Sequence, residues 1–218
     1  MDACKDKMMS QEPLRKRGRP KVSSDDEKRS HIVDSARRIF VEFGYAGTTT
    51  AIVAAMAGVS KQTIYKLFES KEELFGAVVN AHRRMMLDLP RDPEDLSIAE
   101  SLERIFMIDM DEETDAERAG FLQLVFREAN QFPELVDVLQ QEGMLASRHH
   151  LAEWLADRQA EGKLEIGDSM SGARMLMDMM FGGMGPPEGR AQAWPDRAAR
   201  LAHLKRCIAI FAAGVGKR

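Results

Sequence analysis

Five of the six positions from Lys61 to Lys66 carry side chains that can grip a nucleic acid: Lys61, Gln62, Thr63, Tyr65 and Lys66. With Ser60 before them, they supply donors for phosphate oxygens and for base edges, and Lys61 and Gln62 suit either target. Bond-breaking chemistry has no comparable signature. His149 and His150 are adjacent, so on a helix they diverge by about 100° and do not easily chelate one metal. His149 and Glu153 share a face, but two ligands do not make a site. Gly182, Gly183 and Gly185 lack the preceding strand and the Lys-Ser/Thr of a phosphate loop. No enzyme activity, cofactor or metal is expected.

The polar cluster needs elements to hold it. Thr48–Lys71, TTTAIVAAMAGVSKQTIYKLFESK, reads as two short helices joined at Gly58, with a third entered through Ser70. Thr49 or Thr50 can cap the first, and Ser60 the second. Gly58 sits where a helix end favours a left-handed residue, and Val59 plugs the angle between the helices. Ala54, Ala55 and Ala57 allow close approach. Ile52, Val53, Met56, Val59, Ile64 and Phe68 form an apolar side opposite the polar one. That is the layout of a helix-turn-helix spanning 49–68, whose second helix enters the DNA major groove. An ordinary helical hairpin with a solvated face is the alternative.

The flanks favour the first reading. Ser24 and Glu27 are spaced as a capping box before Ile32, Ala36, Ile39, Phe40 and Phe43, which recur at helical spacing until Gly44 and Gly47. Ser70 and Glu73 are spaced as a second box, leading a stripe of Leu74, Phe75, Val78, His82, Met85 and Met86 toward Pro90. The continuous run from Ile32 to Phe75, including FVEFGYAGTTTAIVAAMAGVSKQTIYKLFESKEELF, resembles the N-terminal domain of TetR-family transcriptional regulators. The resemblance implies phosphate contacts by Thr50, Tyr65 and Lys71, and a set around the base edges made of Ser60, Lys61, Gln62, Thr63 and Lys66. Leu67 stands where that family often has His, so no imidazole contact is implied there.

A formal net charge of −4 and a pI near 5.8 argue against a nucleic-acid partner only on average. Residues 11–71 hold 12 Lys and Arg against 7 Asp and Glu, whereas 72–218 hold 17 against 26. A basic head on an acidic body presents one end to phosphates. Ahead of the head, Leu14–Lys21 reads LRKRGRPK, and its Arg17-Gly18-Arg19-Pro20 looks like an AT-hook, in which slim extended backbone lets two arginines follow a narrow minor groove. A disordered basic tail attracted to any phosphate is the competing reading of residues 1–23. Cys4 and Cys207 lie far apart and are expected to be free thiols of a reducing cytoplasm. No signal peptide or membrane-length apolar run is present, so a cytoplasmic protein without a membrane partner is expected.

From Pro90 onward the pattern is helical. Ser97 and Glu100 form a capping box before Ile98, Leu102, Ile105 and Phe106. An acidic loop, Asp109–Asp115, is expected before a helix over Glu117–Gln131, and a long helix from Pro133 to about Glu161. Two last helices are expected near Asp168–Gly182 and Pro195–Ala213. The step FREANQFPELVDVLQQEG resembles the C-terminal domain of the AefR-like branch of the same family.

The expectation is therefore an all-α chain of about nine helices. Residues 1–23 form the arm, 24–89 the three-helix DNA-binding domain, and 90–218 the effector-binding and dimerisation domain. Family resemblance implies a homodimer through the last two helices and a double-stranded palindromic operator. It also implies an inducer cavity for a small apolar effector, with Phe106, Met110, Phe121, Leu124, Arg127, Trp154, Met177 and Phe181 as candidate lining. A salt bridge to a neighbouring acid also accounts for Arg127. The six methionines of Met170–Met184 suit either such a wall or a core. A repressor released by its effector is the leading reading, and a structural DNA-organising protein without an inducer is the alternative.

Overall fold

The computed structural model describes residues 24–91, 95–182 and 197–216. Among them every regular element is helical and no strand occurs. Helix α1 (Asp25–Gly47) starts at Ser24, whose Oγ accepts the Glu27 N–H while the Glu27 carboxylate accepts the Ser24 N–H. It breaks at Gly44, where φ is +71°. A Cβ there would also stand 3.2 Å from the Glu128 carboxylate, so conformation and space both demand glycine. Helices α2 (Thr50–Met56), α3 (Lys61–Leu67) and α4 (Lys71–Met86) follow. At seven residues each, α2 and α3 are too short to persist alone, and burial against α1 and against each other is what fixes them.

The body begins with α5 (Ile98–Ile105), opened by the complete Ser97–Glu100 box. Helix α6 spans Glu112–Gln131, so the loop expected over Asp109–Asp115 is confined to Asp109–Asp111 and the rest of the acidic run is helical. Asp111 accepts the Thr114 N–H at 2.9 Å, and Glu112, Glu113 and Asp115 sit in the first turn, where negative charge complements the exposed N–H groups. Glu134–Val138, a π-helical stretch Leu139–Leu145 and Ala146–Ala160 run on without a break as one rod, α7. Helices α8 (Ser169–Phe181) and α9 (Arg197–Val215) complete the chain. Asp168 caps α8 through the Met170 N–H.

Two apolar cores result. The first joins Ile32, Phe40, Val53, Ile64, Phe68, Leu74 and Phe75 of the head to Phe121, Leu124, Val125 and Leu135 of α6 and α7. The second joins Leu102, Ile105, Leu151, Trp154, Leu155, Leu176, Met177, Ile208 and Phe211. The body therefore completes the head's core. Close helix crossing helps, because the Cα positions of Gly76 and Gly143 bring α4 and α7 within contact of Val138 and Val79.

Several expected core positions are solvent-facing. Ile52 and Met56 in α2 and Phe43 in α1 are 40%, 57% and 51% exposed. Helix α2 buries only its Val53 and Ala54 edge, so its next edge round points outward. Met85 and Met86 are half-buried where α4 ends.

Candidate DNA interface

The turn forms as the residues require. Thr49 Oγ1 accepts the Ile52 N–H at the start of α2. Gly58 adopts φ +63°, and the Val59 N–H reaches back to the Ala54 carbonyl at 3.0 Å. Ser60 Oγ accepts the Thr63 N–H at 3.1 Å and lies 2.9 Å from the Thr63 hydroxyl, so these two side chains organise the first turn of α3. Ser70 Oγ accepts the Glu73 N–H, but the Glu73 carboxylate takes the Glu69 N–H at 2.6 Å. The second expected box is thus half formed.

Lys61, Gln62, Tyr65 and Lys66 are exposed on one helix, and Thr50 joins them because its hydroxyl lies 3.2 Å from the Tyr65 hydroxyl. Lys66 Nζ donates to Asp25 at 2.8 Å, and this contact holds the Asp25 carboxyl below its ordinary value. Both groups are exposed, so the pair is screened and easily exchanged for another anion. Lys71 lies apart from that set, its Nζ 4.0 Å from the centre of the Tyr45 ring. Burial lowers its affinity for a proton, opposed by Glu72 and Glu128 nearby. Arg17, Gly18 and Arg19 lie outside the described residues, as do Cys4, Gly183, Met184 and Gly185.

Sequence reasoning missed the residues that brace this surface. Arg29 donates to the Leu67 carbonyl at 2.6 Å, lies 4.2 Å over the Phe68 ring and faces Glu73, which pins the end of α3. Tyr45 stacks within a ring cluster of Phe40, Phe75 and Phe132, and its hydroxyl donates to Glu72 at 2.8 Å. Burial and that carboxylate raise the Tyr45 pKa. Glu128 of α6, 5% exposed, accepts the Tyr45 backbone N–H at 3.0 Å and pairs with Arg127. Only its acidic charge beside Leu124 and Val125 could have flagged it.

The eight candidate cavity residues are not brought to one space. Phe121 and Leu124 belong to the head's core, whereas Phe106, Trp154, Met177 and Phe181 belong to the second core or pack on it. Met110 is half-buried after α5, and its carbonyl accepts from Arg197. Arg127 is 60% exposed and bound to Glu128. Asp115 gathers Arg118, Arg197 and Arg200, tying α9 to α6. Cys207 is buried and reduced, with burial raising its pKa. Among the described residues no three His, Cys, Asp or Glu side chains are grouped to hold a metal, and no helix is long and apolar enough to cross a membrane.

This arrangement matches known proteins along most of the chain. The family model for bacterial regulatory proteins of the tetR family matches residues 32–78, and that for the AefR-like transcriptional repressor C-terminal domain matches residues 100–214. The chain belongs to the TetR family of transcriptional regulators. It is 25% identical over 151 residues to the uncharacterized HTH-type transcriptional regulator YvkB of Bacillus subtilis, covering 69% of this chain and 78% of that protein. YhgD of the same organism is 42% identical over 52 residues, which are 24% of this chain and only 27% of YhgD. The flavonoid-responsive regulator FrrA shares the fold with a TM-score of 0.58 at 24% identity, over 88% of this chain and 99% of FrrA. As a TetR-family member the protein is a DNA-binding regulator, and its family is one of regulators rather than enzymes.

Proposed function

We propose that the protein is a homodimeric, sequence-specific regulator that represses from a palindromic operator and releases it when a small apolar effector binds. The observation that carries this reading is the exposed edge of α3, with Lys61 and Gln62 free to reach a groove on a helix fixed by Ser60, Gly58 and Arg29. In this reading Ser60, Lys61, Gln62, Thr63 and Lys66 surround the base edges, while Thr50, Tyr65 and Lys71 take phosphates. Lys66 exchanges Asp25 for DNA and Lys71 leaves the Tyr45 ring. Arg17, Gly18 and Arg19 add a minor-groove contact.

Two heads about 34–36 Å apart would read half-sites one DNA turn apart. Helices α8 and α9 supply the pairing face, supported by Met175 and Ile210, which are 53% and 59% exposed. Repression is supported by the match of the body to a repressor C-terminal domain. An aromatic, largely apolar effector is supported by the flavonoid response of FrrA. Release would pass through α6, whose Glu128 holds the junction of α1 and α2.

Lys61→Ala tests the core of the proposal by anisotropy on a panel of duplexes. If Lys61 reads a base, it loses about 1–3 kcal/mol on the preferred duplex alone. An even loss across the panel assigns it to phosphate, and an unchanged panel overturns its role. A wild-type protein that binds every duplex alike would instead be the structural DNA-organising protein.

A further inference from the structure

A cleft of about 1010 Å³ opens between the start of α1, the length of α4 and the π-helical stretch of α7. Its walls carry Asp26, Glu72, Glu73, Asp137 and Glu142 against Arg29 and Arg84. Arg29 is engaged by the Leu67 carbonyl and Glu73, while Asp26 and Asp137 make no ion pair among the described residues. Val33, Ala77, Ala81 and Val138 give the cleft an apolar floor. None of the candidate effector residues lines it.

The chain carries a complement to this surface, attached at its rim. Leu14–Lys21 has five Lys and Arg in eight residues, and Lys21 lies three residues before Ser24, beside Asp26. At about 3.5 Å per extended residue, Arg15 can lie up to about 30 Å from Ser24. The cleft follows α4 from Glu72 to Arg84, a rise of about 18 Å. The segment is therefore long enough to run its full length. Its cationic heads would meet the acidic walls while Leu14, Pro20 and the lysine stems cover the floor.

We propose that, off DNA, Leu14–Lys21 lies in this cleft of its own chain, so that cleft and DNA compete for one basic strand. The DNA half of the competition rests on the function proposed above; the docking does not. The arm is then a brake as well as a contact. It occupies the joint between head and body until a duplex draws it out.

Zero-length carbodiimide coupling of the full chain, read by mass spectrometry, tests the docking without DNA. The Lys66–Asp25 pair, at 2.8 Å, is the internal control. Intrachain links from Lys16 or Lys21 to Asp137 or Glu142 are expected, and they should vanish when an A·T-rich duplex is added. Control links without arm links overturn the proposal, as do arm links between chains or arm links scattered to remote carboxylates such as Glu165. A second measurement separates the brake from plain charge. Asp137→Asn with Glu142→Gln should tighten duplex binding severalfold in the native chain. It should change little when Arg15, Lys16, Arg17, Arg19 and Lys21 are all replaced by Gln. Equal tightening in both backgrounds refutes the competition. Failure of every variant to bind DNA would strike the proposed function while leaving the cross-links to judge the docking.

Discussion

The head and the body bury apolar surface in different ways. The head's core is built on rings, with Phe40, Tyr45 and Phe75 at centroid distances of 5.1–5.9 Å and Phe132 added from beyond α6. Each ring meets its neighbours at a set angle, which fixes α1 against α4 and hence the pose of α3. The second core is mostly Leu, Ile and Ala, with Met177 and Met180 as adaptable fillers in place of a ring cluster. It leaves Met175 and Ile210 facing outward. A surface that must present a few donors in register needs the first kind of core. A surface that must pair or adapt can use the second.

Breaking the ring cluster should produce the largest effect. Phe75→Ala removes a fully buried ring and should cost about 3–5 kcal/mol in denaturant unfolding. Met177→Ala in the second core should cost less, and a larger loss there would reverse the contrast between the two cores.

Acid should strain the packing of α4 against α6. His82 lies 4.3 Å from the Phe121 ring, 3% exposed, and neither ring nitrogen has a hydrogen-bond partner among the described residues. Burial, helped by Arg37 and Arg118, pushes its pKa down to about 4. The unfolded chain takes up a proton near pH 6.5 that the folded chain refuses. Stability from this group is thus complete above pH 6.5 and falls as pH drops toward 4, by about 3 kcal/mol. His82→Leu should flatten that part of the pH–stability profile, and an unaltered slope would exclude His82 as its source.

Glu128→Ala leaves the buried Tyr45 N–H without its acceptor and should cost about 1–3 kcal/mol. Glu128→Gln, which keeps an acceptor, should recover much of the loss. Equal losses would assign the effect to charge rather than to the hydrogen bond. The smallest expected effect is at the turn. A Cβ at Gly58 meets nothing within 4 Å, so Gly58→Ala should cost only the left-handed conformation, about 1–2 kcal/mol, with α3 still folded by circular dichroism.

What the sequence disclosed follows the same division. Caps and turns are local, so the Ser24–Glu27 and Ser97–Glu100 boxes and the Gly58 turn were legible. The long helix after Pro133 was legible from spacing, but nothing in LQQEGML announced its π-helical stretch. The Asp109–Asp115 run was misjudged because acids mark both solvated loops and helix starts, and only the Asp111–Thr114 spacing separates the two. Helical periodicity says that a face is buried, not which core it meets. For that reason Phe121 and Trp154 read as one cavity wall while the fold sends them to different cores. Glu128 and Arg29 act across tens of residues of chain, a distance over which spacing carries no message.

The π-helical stretch Leu139–Leu145 has a consequence for how the rod α7 tolerates change. Before it, Leu135 serves the head's core; after it, Leu151, Trp154 and Leu155 serve the other. A wider turn between them sets the angular phase of one half against the other, as a coupling does between two shafts. Removing one residue there would turn everything downstream by about 100°, carrying Leu151 and Leu155 away from their partners. Substitutions within the stretch should be forgiven except at Gly143, where α4 crosses closely, whereas a change in its length should not.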